Sequence, residues 1–167
     1  MAQRKDIRGT LEALTPGLRR YARALSAGET PSVADDLVLE ALETLREGPN
    51  ADREPPSGSR ELRLRLYAAF TRVAQRKLRA AASAGPSLRH PVIVHGLADL
   101  RFEDREALLL VVLEGFSYID AAKLLGVDCD ILASRLMRAR ARLAAFDNQP
   151  SAPSDGTRRA LHLRVIK

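Results

Sequence analysis

Ser117-Tyr-Ile-Asp-Ala-Ala-Lys-Leu-Leu-Gly-Val-Asp-Cys-Asp-Ile-Leu-Ala-Ser-Arg-Leu-Met-Arg-Ala-Arg-Ala-Arg-Leu143 reads as two helices joined by a tight turn. The spacing predicts a short helix over Ser117 to Leu125, a turn at Gly126-Val-Asp128 and a second helix from Cys129 to Leu143, in the order of a helix-turn-helix. Ala121 and Ala122 are small where the helices would cross, Gly126 can take the left-handed backbone, and Asp128 can cap the second helix. Ile131, Leu132, Leu136, Ala139 and Leu143 are expected to face the core. Ser134, Arg135, Arg138 and Arg142 then form the opposite face, suited to the major groove and its flanking phosphates. A row of arginines also suits a plain solvated face. Their occurrence beside a turn glycine, a capping aspartate and small crossing residues favours DNA docking. Asp128 and Asp130 would repel phosphate there unless they cap the helix or accept from cytosine.

Upstream, the same periodicity recurs. Leu11, Leu14, Leu18, Tyr21, Ala22 and Leu25 make an amphipathic stripe with Arg19, Arg20 and Arg23 on its wetter flank, and Pro16 predicts a restart within it. A second helix is expected from Pro31-Ser32, with Ser32 as its cap and Asp35-Asp36 in its first turn. Its core face would hold Val33, Leu37, Val38, Ala41, Leu42 and Leu45. Gly48-Pro49-Asn50 ends it, and Glu54-Pro-Pro-Ser-Gly-Ser59 reads as a loop. A third helix is expected from Arg60 to Ala82, apolar at Leu62, Leu66, Ala69, Phe70, Val73 and Leu78 and basic at positions 63, 65, 72, 76, 77 and 79. Ser83-Ala-Gly-Pro-Ser87 and His90-Pro91 mark a joint, in which Val92-Ile93-Val94 could be a short extended segment. Phe102 to Glu114, with Leu108, Leu109, Val111, Val112 and Leu113, should be the central helix of a second bundle. The expected architecture is all-α: two small helical domains, 1–82 and 97–147, a flexible linker at 83–96 and a basic tail at 148–167.

Composition narrows the function. No apolar run approaches 18 residues and no secretory leader precedes the first helix, so a cytoplasmic protein without a membrane anchor is expected. The single cysteine, Cys129, and three scattered histidines give neither a disulfide nor a metal site, and no cofactor is expected. The net charge of +6 favours a polyanionic partner. Without a glycine-rich phosphate loop or a nucleophile-base pair, no enzymatic activity is expected.

The stretch Arg105-Glu-Ala-Leu-Leu-Leu-Val-Val-Leu-Glu-Gly-Phe-Ser-Tyr-Ile-Asp-Ala-Ala-Lys-Leu-Leu-Gly-Val127, with Ser134-Arg-Leu-Met-Arg-Ala-Arg-Ala-Arg-Leu143, resembles region four of extracytoplasmic-function (ECF) sigma factors of the sigma-70 family. Leu18-Arg-Arg-Tyr-Ala-Arg-Ala-Leu25 and Ala34-Asp-Asp-Leu-Val-Leu-Glu-Ala-Leu42 are similar to region two. The resemblance implies a transcription initiation protein, controlled by an anti-sigma factor, probing promoter DNA as a dissociable subunit of core RNA polymerase. It implies minus-thirty-five reading by Asp130, Ala133, Ser134, Arg135, Arg138 and Arg142, and polymerase docking by Asp35, Asp36, Leu37, Val38 and Glu40. The two aspartates are equally readable as charges at a helix start. A stress-response role and a monomeric free state are also expected.

The third helix departs from the family. Where members carry a tryptophan before a Leu-aromatic pair and an asparagine further on, this chain has Arg65-Leu-Tyr67 and Arg72. Arg65, Arg72, Arg76, Lys77 and Arg79 are therefore expected to grip phosphate near the minus-ten element, with sequence preference there in question. Leu66-Tyr67-Ala-Ala-Phe70-Thr-Arg-Val73 and Leu113-Glu-Gly-Phe-Ser117 also resemble the sigma-like domain of PhyR-type general-stress regulators, which capture an anti-sigma factor without binding a promoter. That is the alternative reading. The 167 residues leave little room for the receiver domain of such regulators, and the arginines after Ser134 favour a DNA reader.

Overall fold

The computed structural model describes residues 2–27, 29–47, 56–81 and 96–147. Among the described residues the regular elements are all helical, in the order α1 (Ala2–Leu25), α2 (Pro31–Glu47), α3 (Ser59–Ala81), α4 (Phe102–Leu108), α5 (Tyr118–Leu125) and α6 (Cys129–Asp147), with a π-helical turn, Leu109–Leu113, continuing α4. None of these helices is long and apolar enough to cross a membrane. The extended segment at 92–94, most of the expected joint and the tail from 148 lie outside the described residues.

The apolar stripes pack as their spacing requires. Leu18, Tyr21 and Leu25 of α1, Leu37 and Ala41 of α2, and Leu66, Phe70 and Val73 of α3 are nearly inaccessible to solvent. They form one continuous core with Leu110 of the π turn, Ala121 of α5 and Leu132 and Leu136 of α6. A line of rings crosses it: Phe70 to Tyr21 at 5.3 Å, Tyr21 to Tyr67 at 5.6 Å and Tyr67 to Phe116 at 4.9 Å between centroids, all tilted or edge-on. The two helical units are thus packed together, with α1 and α3 against α4, the π turn and α5.

Four local expectations are corrected. α1 runs unbroken through Pro16. Pro16 is exposed, so the Glu12 carbonyl that loses its amide partner is open to water, and the stripe on either side holds the helix together. α2 begins at Pro31, with its fixed φ suited to the first helical position, so Thr30 takes the place before the helix and Ser32 lies inside the first turn. Asp35 and Asp36 consequently fall beyond that turn. Val112 is 62% exposed and Ile131 46% exposed, although both were expected in the core. The wider π turn rotates Val112 outward, while Ile131 lies in the first turn of α6, ahead of the stretch that packs.

Candidate nucleic-acid interface and the seam beneath it

The helix-turn-helix is built as its residues dictate. Ser117 Oγ accepts from the Asp120 amide at 3.1 Å and caps α5. Gly126 closes that helix at φ 64°, a left-handed conformation that costs glycine little. The Val127 amide returns to the Ala122 carbonyl at 3.1 Å, and α6 starts directly after Asp128. Ala121 and Ala122 are buried at the crossing. Leu132, Leu136 and Ala139 anchor α6, with Leu143 half-buried at its far end.

The arginines of α6 do not simply point away from that core. Arg138 Nε and Nη2 both donate to Asp104, at 3.1 and 2.7 Å, and the Asp104 side chain is only 6% exposed. This two-pronged bond holds the Arg138 guanidinium further above its ordinary pKa. Arg142 makes a similar but more exposed pair with Asp99 at 2.7 Å. Arg135 is half-buried, and its positive charge acts on the buried carboxyl of Glu106. Arg135, Arg138 and Arg142 therefore lean to the α4 side, which corrects the expected arginine-only outer face. Asp130 is exposed, and Ala133 and Ser134 are partly so.

On α3 the candidate cations are likewise engaged. Arg65 pairs with Glu61 at 2.5 Å, and hydrogen bonds from Ser57 and Arg65 draw the Glu61 carboxyl down to about 2. Arg72 Nε donates to the Ala68 carbonyl at 3.2 Å. Arg76 and Lys77 both meet Glu40 of α2, lowering its carboxyl chiefly through the Lys77 bond. Arg79 reaches across to Glu103 of α4 at 3.0 Å. Two candidate sets thus meet at Glu40. Of the remaining α2 candidates, Asp35 and Asp36 are exposed, Asp35 lying 3.7 Å from Arg19. Leu37 and Val38 are 0% and 3% exposed, so their side chains build the three-helix core and have no surface to offer a partner. The exposed apolar residue of α2 is Leu39, which the sequence reading passed over.

A seam that no local sequence pattern announces lies between the two units. Glu114, at the end of the π turn, has a side chain 4% exposed. Tyr67 donates its hydroxyl proton to Glu114 Oε2 at 2.5 Å, Arg20 Nη2 donates to Oε1 at 3.2 Å, and Arg63 Nη2 lies 3.5 Å from Oε2 while also donating to the Glu114 backbone carbonyl. The Arg63 guanidinium stacks 4.1 Å from the centroid of Phe116. Burial, then the Glu114 carboxylate, pushes the Tyr67 hydroxyl well above its ordinary range. Beside this cluster Arg60 pairs with Asp120 at 2.9 Å, and Gln75 Nε2 donates to both oxygens of Glu106 at 3.2 and 3.4 Å. Glu114 and Phe116 belong to the Leu113-Glu-Gly-Phe-Ser117 stretch, and nothing in the local sequence links them to Arg20, Arg63 or Tyr67.

The chain is similar to known proteins in sequence and fold. Residues 93–143 match the model of sigma-70 region 4, and residues 11–71 match the sigma2 domain of PhyR. The chain is 31% identical over 157 residues to the ECF RNA polymerase sigma factor EcfG of Rhodopseudomonas palustris, covering 84% of each sequence. The sigma factor RpoE of Bartonella quintana, solved with the anti-sigma factor NepR, is 27% identical with a TM-score of 0.70 over 85% of this chain and 96% of that one. A PhyRSL–NepR complex from a Sphingomonas species is 28% identical with a TM-score of 0.64, covering 92% and 98%. With a helix-turn-helix at one end, a three-helix unit at the other and a relative aligned along most of both, the chain belongs to the ECF RNA polymerase sigma factors.

Proposed function

We propose that this chain binds core RNA polymerase in the cytoplasm and directs promoter-specific initiation of transcription, in a stress response and under the control of an anti-sigma factor. The observation that carries the reading is the capped helix-turn-helix, whose second helix keeps an exposed outer side while the seam covers the opposite end of the unit. The likeness to EcfG along most of the chain supports the same role. In this reading 97–147 contacts the minus-thirty-five element through α6. The unit 1–82 grips DNA through Arg65, Arg72, Arg76, Lys77 and Arg79 and meets polymerase through α2 at Asp35, Asp36, Leu39 and Glu40. The free protein is a monomer.

An anti-sigma partner is favoured by the solved relatives, since both RpoE and PhyRSL were captured with NepR. The match of residues 11–71 to the PhyR sigma2 domain supports a second reading, in which the chain sequesters an anti-sigma factor without reading a promoter.

Run-off transcription with purified core polymerase separates the two. The native chain should start transcripts at defined sites. Arg135→Ala combined with Arg140→Ala, which removes an exposed cation of α6 outside the expected set, should lower their yield by at least about tenfold while flattening the salt dependence of DNA binding by about one unit of slope per lost phosphate contact. A chain that binds a NepR-type protein tightly yet starts no transcript at any promoter would establish the mimic instead.

A further inference from the structure

The outward line of α6 runs through Asp130, Ser134, Met137 and Ala141, spaced by four, three and four residues and opposite Leu132, Leu136 and Ala139. Arg138 and Arg142 flank this line but are drawn toward α4 by Asp104 and Asp99. Met137 is consequently the long side chain left at its centre. It is 65% exposed, more than any other large apolar side chain among the described residues. Ala133, Ser134 and Ala141, three or four residues away on the helix, are too small to cover it. Arg140 is exposed on the other flank, and Arg135 and Arg138 stand on the first, so cations border the methionine on both sides. An apolar tip framed by cations fits a DNA groove, where phosphates lie at the edges and the thymine 5-methyl group stands on the floor.

We propose that Met137 is a specificity-determining residue, selecting a thymine in the major groove by packing its thioether arm against the 5-methyl group. The inference rests on the proposal that α6 docks on duplex DNA. Methionine suits such a contact because its three rotatable bonds and polarizable sulfur adapt to an apolar group that offers no hydrogen bond. Asp130 and Ser134, on the same line, supply the polar contacts, with a cytosine amino group as the natural donor to Asp130. Arg138 acts differently from the usual base-reading arginine: fixed on Asp104, it sets the tilt of α6 and adds positive charge beside the groove.

The test is selection of duplex oligonucleotides with a randomised central window by the full chain, by Met137→Ala and by Met137→Leu. Native protein should enrich a thymine at one position, Met137→Ala should lose that preference alone, and Met137→Leu should keep it. Replacing that thymine by uracil, which removes only the methyl group, should weaken native binding roughly fourfold and leave Met137→Ala unchanged. Identical sequences enriched by native and Met137→Ala, or uracil bound as well as thymine, would overturn the assignment while leaving DNA docking intact. No enrichment by the native chain at low salt would overturn the DNA reading itself, and the Met137 assignment with it.

Discussion

The same chemical pair, a guanidinium on a carboxylate, is used in two regions to different ends. At the seam, Glu114 of the second unit is nearly sealed from solvent and draws its donors, Arg20, Arg63 and Tyr67, from the first. On the recognition helix, Arg138 and Arg142 draw carboxylates from α4 and the segment just ahead of it, within their own unit. One arrangement joins the two units, and the other orients a helix inside one of them. The number of donors separates them more than burial does: Glu114 takes three side chains, Asp104, about as buried, takes one guanidinium, and Asp99 is exposed. A carboxylate removed from water relies on every donor it has, whereas an exposed pair exchanges freely with solvent.

Substitutions can break or sharpen that contrast. Glu114→Ala should have the largest effect, about 3 kcal/mol in chemical denaturation, because it strands the buried Tyr67 hydroxyl and takes from the part-buried Arg63 its carboxylate partner. The radius of gyration in small-angle scattering should rise with it. An unchanged radius would mean that the apolar rings alone hold the seam.

Glu106 comes next. Burial raises its carboxyl from 4.5 to about 7, against the pull of the Gln75 amide and the Arg135 charge. The folded chain therefore retains a proton that the unfolded chain releases, so this contribution is full below about pH 4.5 and is lost as pH rises through about 7. Stability should fall by about 2 kcal/mol between roughly pH 5 and pH 8, and Glu106→Gln should flatten that slope. Within the recognition unit, Asp104→Asn should cost about 1 kcal/mol, since the amide still accepts one of the two Arg138 bonds. Arg142→Ala should lower stability by less than about 0.5 kcal/mol, as expected of an exposed pair. Equal losses at Asp104 and Arg142 would erase the distinction between the two pairs.

The elements themselves were largely legible, for periodicity and turn chemistry are local. Gly126, Ala121 and Ala122 stand where their spacing predicts, while Ser117, expected as the first helical residue, caps α5 instead. Pro16 misled because a proline on an exposed helix face loses only one hydrogen bond, which packing of Leu14, Leu18 and Tyr21 outweighs. The α2 candidates were read as one block, although helical geometry turns Leu37 and Val38 inward while Leu39 points out. The arginines of α6 were legible as a row but not in their direction. Asp104 and Asp99 lie 34 and 43 positions away, and no local pattern pairs them with Arg138 and Arg142. The seam was invisible for the same reason, with Arg20 and Glu114 separated by 94 positions.

The shared core also sets a ruler. Elements named for positions ten and thirty-five lie about twenty-five base pairs apart, or roughly 85 Å along B-form DNA at about 3.4 Å per pair. A globule of this length is only about 40 Å across. A chain that touches both elements at once, as proposed, must first become longer than it is in this form. The line from Phe70 through Tyr67 to Phe116 is where that lengthening would begin, so the energy stored in the Glu114 cluster would count directly against promoter engagement.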